Sequence, residues 1–466
     1  MVALEGSYRL RPRFYREGFS RPGEMAHMDR TLEEALAAVK IVSASAPKLA
    51  AMPAHRRAAV LRSVSDILRA RREVFAAAIV EEVAKPLKAA RVEVDRAAFN
   101  FRWAAAEAER FGGEWIPLDS DPSGEGRIAL VRRFSRGPCL FITPFNFPLN
   151  LAVHKIAPAI AIGAPFVWKP APQAPRTARL LADSLLEAGW PEDAFAVVVC
   201  ANEVAEALVQ DERFGVLSFT GSDAVGWRLK SLCGRKHAVL ELGGNAGAIV
   251  AEDADLPWAA ARCAAGAFAY AGQVCISTQR ILVVETVYEE FKKIFLENVA
   301  ELSVGDPADE RTDVGPMVDE RAAVRVESWI EEAKASGAAV LCGGGRSGRL
   351  VHPTVIENPP RGAKVVCEEV FGPVVTLERI PGIEHGLLEI SKSRFGLHAG
   401  LFTRDIERVL GAWERLDVGA LVVNDVPTYR SDPMPYGGNR ESGTGREGVR
   451  WAMREFTQTR ALILKA

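Results

Sequence analysis

The chain has 466 residues, a formal net charge of −2 and a hydrophobic share of 48%. That length exceeds one hydrophobic core of ordinary size and implies two or three domains. Near-neutrality excludes the basic footprint of a nucleic-acid-binding protein, and the short cluster Arg132, Arg133 and Arg136 reads as a local surface strip.

The N-terminal MVALEGSYRLRPRFYREGF lacks the apolar core of a signal peptide, and Glu5 and Glu17 argue against a transit peptide. Residues 32–111 place apolar side chains at three- and four-residue spacing among Ala, Leu, Glu and Arg, the pattern of amphipathic helices. The run RIALVRRF, flanked by Pro and Gly turns, predicts a strand or hairpin that protrudes. From Cys139 short apolar runs alternate with helical stretches. CLFITPF, PFVWK, AFAVVVC, FGVLSFT and HAVLEL are the strands, and 149–162, 175–188, 203–209 and 223–232 the helices. That alternation predicts a parallel, doubly wound sheet. The most apolar stretch, 149–168, is broken by His154, Lys155, Pro158 and Pro165. It falls short of the ~18–20 apolar residues of a membrane helix, so no membrane span is expected.

After Gly243 a second α/β pattern begins, with AGAIVA, RILVVE, AAVLC, VVTLERI, AGLFT and GALVVN as strands. The tail ALILK reads as a short strand in need of a partner, for which the hairpin of another subunit is one option. Seven cysteines at wide spacings, without C-x-x-C, indicate neither a zinc site nor a disulfide framework and suit a reducing cytoplasmic setting.

Gly343, Gly345 and Gly348 satisfy G-x-G-x-x-G, but the chain continues as RLVHPTV instead of opening a helix, so a tight turn is the reading. Strand ends supply better candidates. In FTGSD, Gly221 ends a strand and Ser222 can cap the next helix, whose N–H groups suit a phosphate. Lys169 stands at the C-terminal end of a strand, where open α/β sheets bind ligands. Asn146 in ITPFNFPLN is placed to donate a hydrogen bond into a pocket, or to make a turn. Glu241 ends an apolar strand before two glycines, a setting that raises a carboxyl pKa and suits a general base. Taken singly, each is as readily a cap, a turn or a solvated side chain, and Cys275 in GQVCIS a buried sulfur.

Their order is far more specific. ITPFNFP, WKP, FTGS, ELGGN, GQVCIS, EEVFGP and PYGGNRESGTGREG occur in succession, with Glu241 34 residues before Cys275. This arrangement resembles the aldehyde dehydrogenase superfamily over nearly the whole chain. The resemblance implies an α/β fold with a Rossmann-like cofactor domain (1–113 and 137–243) and a second α/β catalytic domain (244–454). A small β oligomerisation segment (114–136 and 455–466) would join a homodimer or homotetramer. It makes Cys275 the nucleophile that forms a thiohemiacetal and then a thioester, and Glu241 the base that drives hydrolysis. Asn146 and the Cys275 N–H become the oxyanion donors.

For NAD or NADP the resemblance implies Ile142, Thr143, Pro144, Phe145 and Leu242 as pocket wall and Lys169 at the adenosine ribose. Gly221 and Ser222 fall at the pyrophosphate, and Glu369 and Phe371 at the nicotinamide ribose and ring. Pro172 stands where many NAD-preferring members have a glutamate, which removes a barrier to NADP. The loop NDVPTYR resembles the branch of lactaldehyde-type and phosphonoacetaldehyde-type enzymes. Phe147, His154, Tyr429, Arg430 and Tyr436 are then expected around the substrate, with His154, Tyr429 and Arg430 offering polar or cationic groups to a hydroxylated or anionic aldehyde. Val274 and Ile276 restrict the space to a small one. No metal is implied. Competing readings are an acylating, coenzyme A-dependent semialdehyde dehydrogenase, a cysteine esterase without a redox step, and a non-catalytic structural role.

Overall fold

The computed structural model describes residues 30–465. The N-terminal stretch read above for targeting signals lies outside them. Thr31 starts the first helix, Leu32–Ala44, with a reciprocal capping box: its hydroxyl accepts from the Glu34 N–H while the Glu34 carboxylate accepts from its own N–H. Four further helices follow as the spacing predicts: Ala46–Ala50, Ala54–Ala70, Arg72–Val83 and Leu87–Arg110. The last buries Ala90, Val94, Ala97, Phe101, Ala104 and Ala108, one stripe at three- and four-residue intervals. It packs on Ala54–Ala70 and on Asn150–Ile162.

Asn150–Ile162 lies against a six-stranded sheet. Its order is Gly443–Thr444, His237–Glu241, Val216–Thr220, Cys139–Ile142, Phe166–Lys169 and Phe195–Val197, parallel apart from the first. Chain order reverses between Cys139–Ile142 and Val216–Thr220, which opens a crevice at their C-terminal ends. AFAVVVC contributes only Phe195–Val197 to the ladder.

A seven-stranded sheet follows, in the order Ala339–Cys342, Thr354–Glu357, Val374–Ile380, Thr278–Val284, Ala246–Val250, His398–Phe402 and Ala420–Val423. Only Ala339–Cys342 runs antiparallel. Because Leu242–Asn245 links His237–Glu241 directly to Ala246–Val250, the C-terminal edge of the first sheet meets the N-terminal edge of the second. GGGRSG has Gly343, Gly344 and Gly348 at positive φ and includes Arg346–Ser347, which pairs with Leu350–Val351 in a short hairpin, and no helix opens after it.

The hairpin Glu114–Pro117 and Arg127–Ser135 is completed by Thr457–Lys465, nine residues in antiparallel register. The tail therefore pairs with its own hairpin, and not across a subunit boundary, leaving its outer edge open. That arm exposes Trp115, Leu130, Leu462, Ile463 and Leu464. Among the described residues no helix is long and apolar enough to cross a membrane.

Candidate active site

A cleft of about 830 Å³ runs between the facing sheet edges. Asn146, Glu241 and Cys275 all line it, so groups far apart in sequence converge at its inner end. Cys275 arrives on a strained approach: Tyr270, Ala271 and Gly272 all have positive φ. A Cβ on Gly272 would sit 2.0 Å from the Gly372 carbonyl oxygen, so no other residue fits that turn.

Asn146 follows the strand Cys139–Ile142, and its Nδ2 donates to the Gln273 carbonyl at 3.0 Å. That bond fixes the amide's orientation across the two sheets and leaves the second N–H of the same nitrogen for a ligand. Asn146 Oδ1 and both Glu241 oxygens are buried without a hydrogen-bond partner. Burial, and then the charge of Glu447, push the Glu241 carboxyl well above its ordinary value, while Lys155, Arg430 and Arg446 pull it back. Burial pushes the Cys275 thiol up to about 12, opposed by a hydrogen bond with Tyr436.

Behind this wall lies a buried charged layer that the sequence did not reveal. Lys155 donates to Glu447 at 2.7 Å and to the Ser218 hydroxyl at 2.9 Å. Arg430 lies 3.5 Å from Glu447 and stacks 3.5 Å from the Tyr436 ring centre. Asp432 receives two hydrogen bonds from Arg96 and lies 3.2 Å from His154 Nε2. Burial would raise the Asp432 carboxyl, but His154 and Arg96 outweigh it and hold it low. Lys155 and Glu447 are separated by 292 positions, and no local spacing marks them as partners.

The outer half of the cleft is built differently. Thr220, Gly221, Ser222 and Asp223 lead from the strand Val216–Thr220 into the helix Asp223–Leu232. Ser222 occupies the N-cap position but makes no side-chain capping bond, a correction to the expected cap. Its hydroxyl and the buried, unpartnered Thr220 Oγ1 thus stand at the helix N-terminus. Opposite, Glu369 accepts from the Gly244 N–H at 3.0 Å, and a Cβ on Gly243 would meet its carboxylate at 2.5 Å. Burial pushes the Glu369 carboxyl up to about 7. Asn245 and Gln279 hold the loop around it through the carbonyls of Val365, Val366 and Glu368. Phe145 and Phe371 meet edge to face, 6.0 Å apart.

Pro144, Phe145, Gly221, Ser222, Leu242, Glu369 and Phe371 therefore line the cleft as the sequence suggests, joined by Gln173 and Leu151. Ile142 and Thr143 lie behind the surface, where Thr143 Oγ1 accepts from the Trp168 indole at 2.8 Å. Lys169 is buried at its strand end and Pro172 is exposed beside Gln173. The remaining sequence candidates are not on this wall. His154 is fully buried between Asp432 and Asn150, Ile276 belongs to the core, and Tyr429 is exposed. Val274 borders a separate small cavity, and Phe147 packs under the Lys85 ammonium.

Residues 23–462 match the aldehyde dehydrogenase family. The chain belongs to that family. It is 41% identical over 411 residues to the 3-sulfolactaldehyde dehydrogenase of Priestia aryabhattai, covering 88% of this chain and 86% of that one. Among solved structures it resembles aldehyde dehydrogenase 21 from Physcomitrella patens in complex with succinate, with a TM-score of 0.92 and 41% identity over 94% of this chain and 91% of that one. It also resembles the glyceraldehyde-3-phosphate dehydrogenase of Methanocaldococcus jannaschii complexed with NADP, with a TM-score of 0.90 and 36% identity over 94% and 95% of the two chains. As a family member it is an NAD(P)-dependent oxidoreductase acting on an aldehyde group.

Proposed function

We propose that this aldehyde dehydrogenase oxidises a small, polar or hydroxylated aldehyde to its carboxylic acid with the three inner residues in distinct roles. Cys275 Sγ attacks the aldehyde carbon. The free N–H of Asn146 Nδ2 and the Cys275 backbone N–H hold the oxygen as it gains charge. NAD or NADP, when bound, supplies the hydride acceptor that turns the thiohemiacetal into a thioester. Glu241 then takes a proton from water, which attacks the thioester carbon and releases the acid and the Cys275 thiol. The convergence of Asn146, Glu241 and Cys275 on one cleft is the observation that carries this reading.

The outer cleft fits a dinucleotide in this scheme. The N-terminus of Asp223–Leu232, with Ser222 and Thr220 uncommitted, suits the pyrophosphate. Lys169 suits the adenosine ribose, and Glu369 and Phe371 suit the nicotinamide ribose and ring. With Pro172 at its mouth, no carboxylate there opposes a 2′-phosphate. The polar-substrate reading draws on Arg430, whose Nε is buried without a partner, and on the sulfolactaldehyde-oxidising relative.

Residues 1–113 and 137–243 then form the coenzyme domain and 244–454 the catalytic one. Residues 114–136 and 455–466 form the arm of a homodimer or homotetramer, which the exposed apolar side chains and open strand edge of that arm support. All seven cysteines are free thiols, in keeping with a cytoplasmic setting.

Coenzyme reduction measured with NAD and NADP against lactaldehyde, glyceraldehyde, succinic semialdehyde, phosphonoacetaldehyde and propanal tests the reading. Reduction with a polar member, absent in Cys275→Ala, is expected. Product release that requires coenzyme A, or ester hydrolysis without any redox turnover, would replace it with one of the competing readings.

A further inference from the structure

The Cys275 sulfur lies 2.9 Å from the Tyr436 hydroxyl. Tyr436 is only 2% exposed, and this sulfur is the one hydrogen-bond partner recorded for its hydroxyl among the described residues. A thiol is a weak donor and a phenol a good one, so the satisfied arrangement of a buried pair has the phenol donating. A thiolate is a far better acceptor than a thiol, so the same bond strengthens once the sulfur loses its proton.

The tyrosine is held in place from every side. The Arg430 guanidinium covers its ring at 3.5 Å, and the His398 imidazole meets it at 5.2 Å and 66°. His398 is itself fixed by Nδ1, 2.9 Å from the Pro427 carbonyl. The Tyr436 N–H donates to the Glu447 carbonyl at 3.0 Å, and the Tyr436 carbonyl accepts from the Glu447 N–H at 2.7 Å. Glu447 is anchored in turn by Lys155. The next residue, Gly437, has φ +153° and leaves the space that Glu241 fills: a Cβ there would sit 2.8 Å from Glu241 Oε1. The phenol is thus aimed at the sulfur with no reorganisation, the condition under which a hydrogen bond stabilises an anion most.

We propose that Tyr436 is a fourth catalytic residue: its O–H donates to the Cys275 sulfur and selectively stabilises the thiolate, supplying the activation that a paired histidine provides in other cysteine enzymes. When the sulfur bonds to the aldehyde carbon it loses its charge, and the hydrogen bond weakens without any movement of the tyrosine. Arg430 over the ring face strengthens the phenol as a donor, since a cation there favours electron withdrawal from the oxygen. Burial pushes the phenol well above its ordinary value, so it keeps its proton and remains a donor across the working range. The inference rests on Cys275 being the nucleophile.

Four other groups act on the same sulfur or ring: the Glu369 and Glu241 carboxyls, the Arg430 guanidinium and the His398 imidazole. Tyr436→Phe leaves all four in place, together with the ring that Arg430 covers. The experiment is the pH dependence of Cys275 alkylation by iodoacetamide, followed by mass spectrometry of the Cys275 peptide in the full-length protein, with steady-state kinetics alongside. Alkylation about tenfold slower at neutral pH in Tyr436→Phe, with the profile displaced to higher pH, is expected, as is a kcat that falls while aldehyde KM stays nearly constant. Replacing Tyr436 by 3-fluorotyrosine, a stronger donor of nearly the same shape, should displace the profile to lower pH, and it decides the matter if Tyr436→Phe does not fold. Alkylation profiles identical to wild type in a folded variant would overturn the proposal. Full aldehyde oxidation by Cys275→Ala would instead overturn the nucleophile assignment on which it rests, so the two failures are distinct.

Discussion

The two ends of the cleft handle charge in opposite ways. At the outer end, Arg394 bridges Asp223 and Glu368 with side chains 42%, 22% and 41% exposed. At the inner end, Lys155 and Glu447 pair with exposures of 0% and 1%, and Glu241 stands beside them with both oxygens unpartnered. Solvent screens the outer pairs, so they orient groups at the cleft mouth while adding little stability. Inner charges cannot be relieved by water. Each depends on a named partner, and the carboxyl left without one is pushed toward its neutral form. The proposed bond-making chemistry therefore falls at the inner end, and the proposed coenzyme capture at the outer.

Perturbing each end should expose this asymmetry. Asn146→Ala removes the proposed oxyanion donor, and kcat should fall about 10²–10³-fold with a smaller change in KM, measured by coenzyme reduction. Lys155→Met leaves Glu447 buried without its main partner. A loss of about 3–5 kcal/mol is expected in denaturant unfolding, since breaking one side of a buried pair costs more than the pair contributes.

At the outer end Glu369 ionises only as pH rises through about 7, because its folded-state value is raised. Coenzyme KM should therefore fall several-fold between about pH 6 and 8 as the carboxylate forms and accepts hydrogen bonds from the ribose. Glu369→Gln should flatten that dependence, and a wild-type profile without it would count against Glu369 as a ribose ligand. Arg394→Ala, which removes two half-exposed pairs, should cost less than about 1 kcal/mol in the same unfolding assay. A loss as large as that of Lys155→Met would erase the distinction between the ends.

The fold was legible where local pattern determines structure. Three- and four-residue spacing marked the helices of residues 32–111, and short apolar runs between them marked strands of both parallel sheets. Asn146, Glu241 and Cys275 were singled out by the order of their motifs along the chain and the family resemblance this carries, since each alone reads as readily as a turn, a solvated carboxylate or a buried sulfur. The charged layer behind them was not, because Arg96, Lys155, Asp432 and Glu447 come from distant helices and loops and are joined only by tertiary packing. His154 shows the limit clearly. The resemblance placed it beside the substrate, yet its helix turns it inward to Asp432. The partner of ALILK was equally hidden, since an apolar tail strand carries no mark of whose hairpin it will join.

The division of labour at the inner end is tested most directly in Glu241→Gln mixed with an aldehyde substrate and coenzyme, quenched rapidly and read by peptide mass spectrometry. The account predicts an acyl group accumulating on Cys275, only when coenzyme is present, with one equivalent of reduced coenzyme formed in a burst. Normal turnover without an adduct, or an acyl group on another residue, would contradict it.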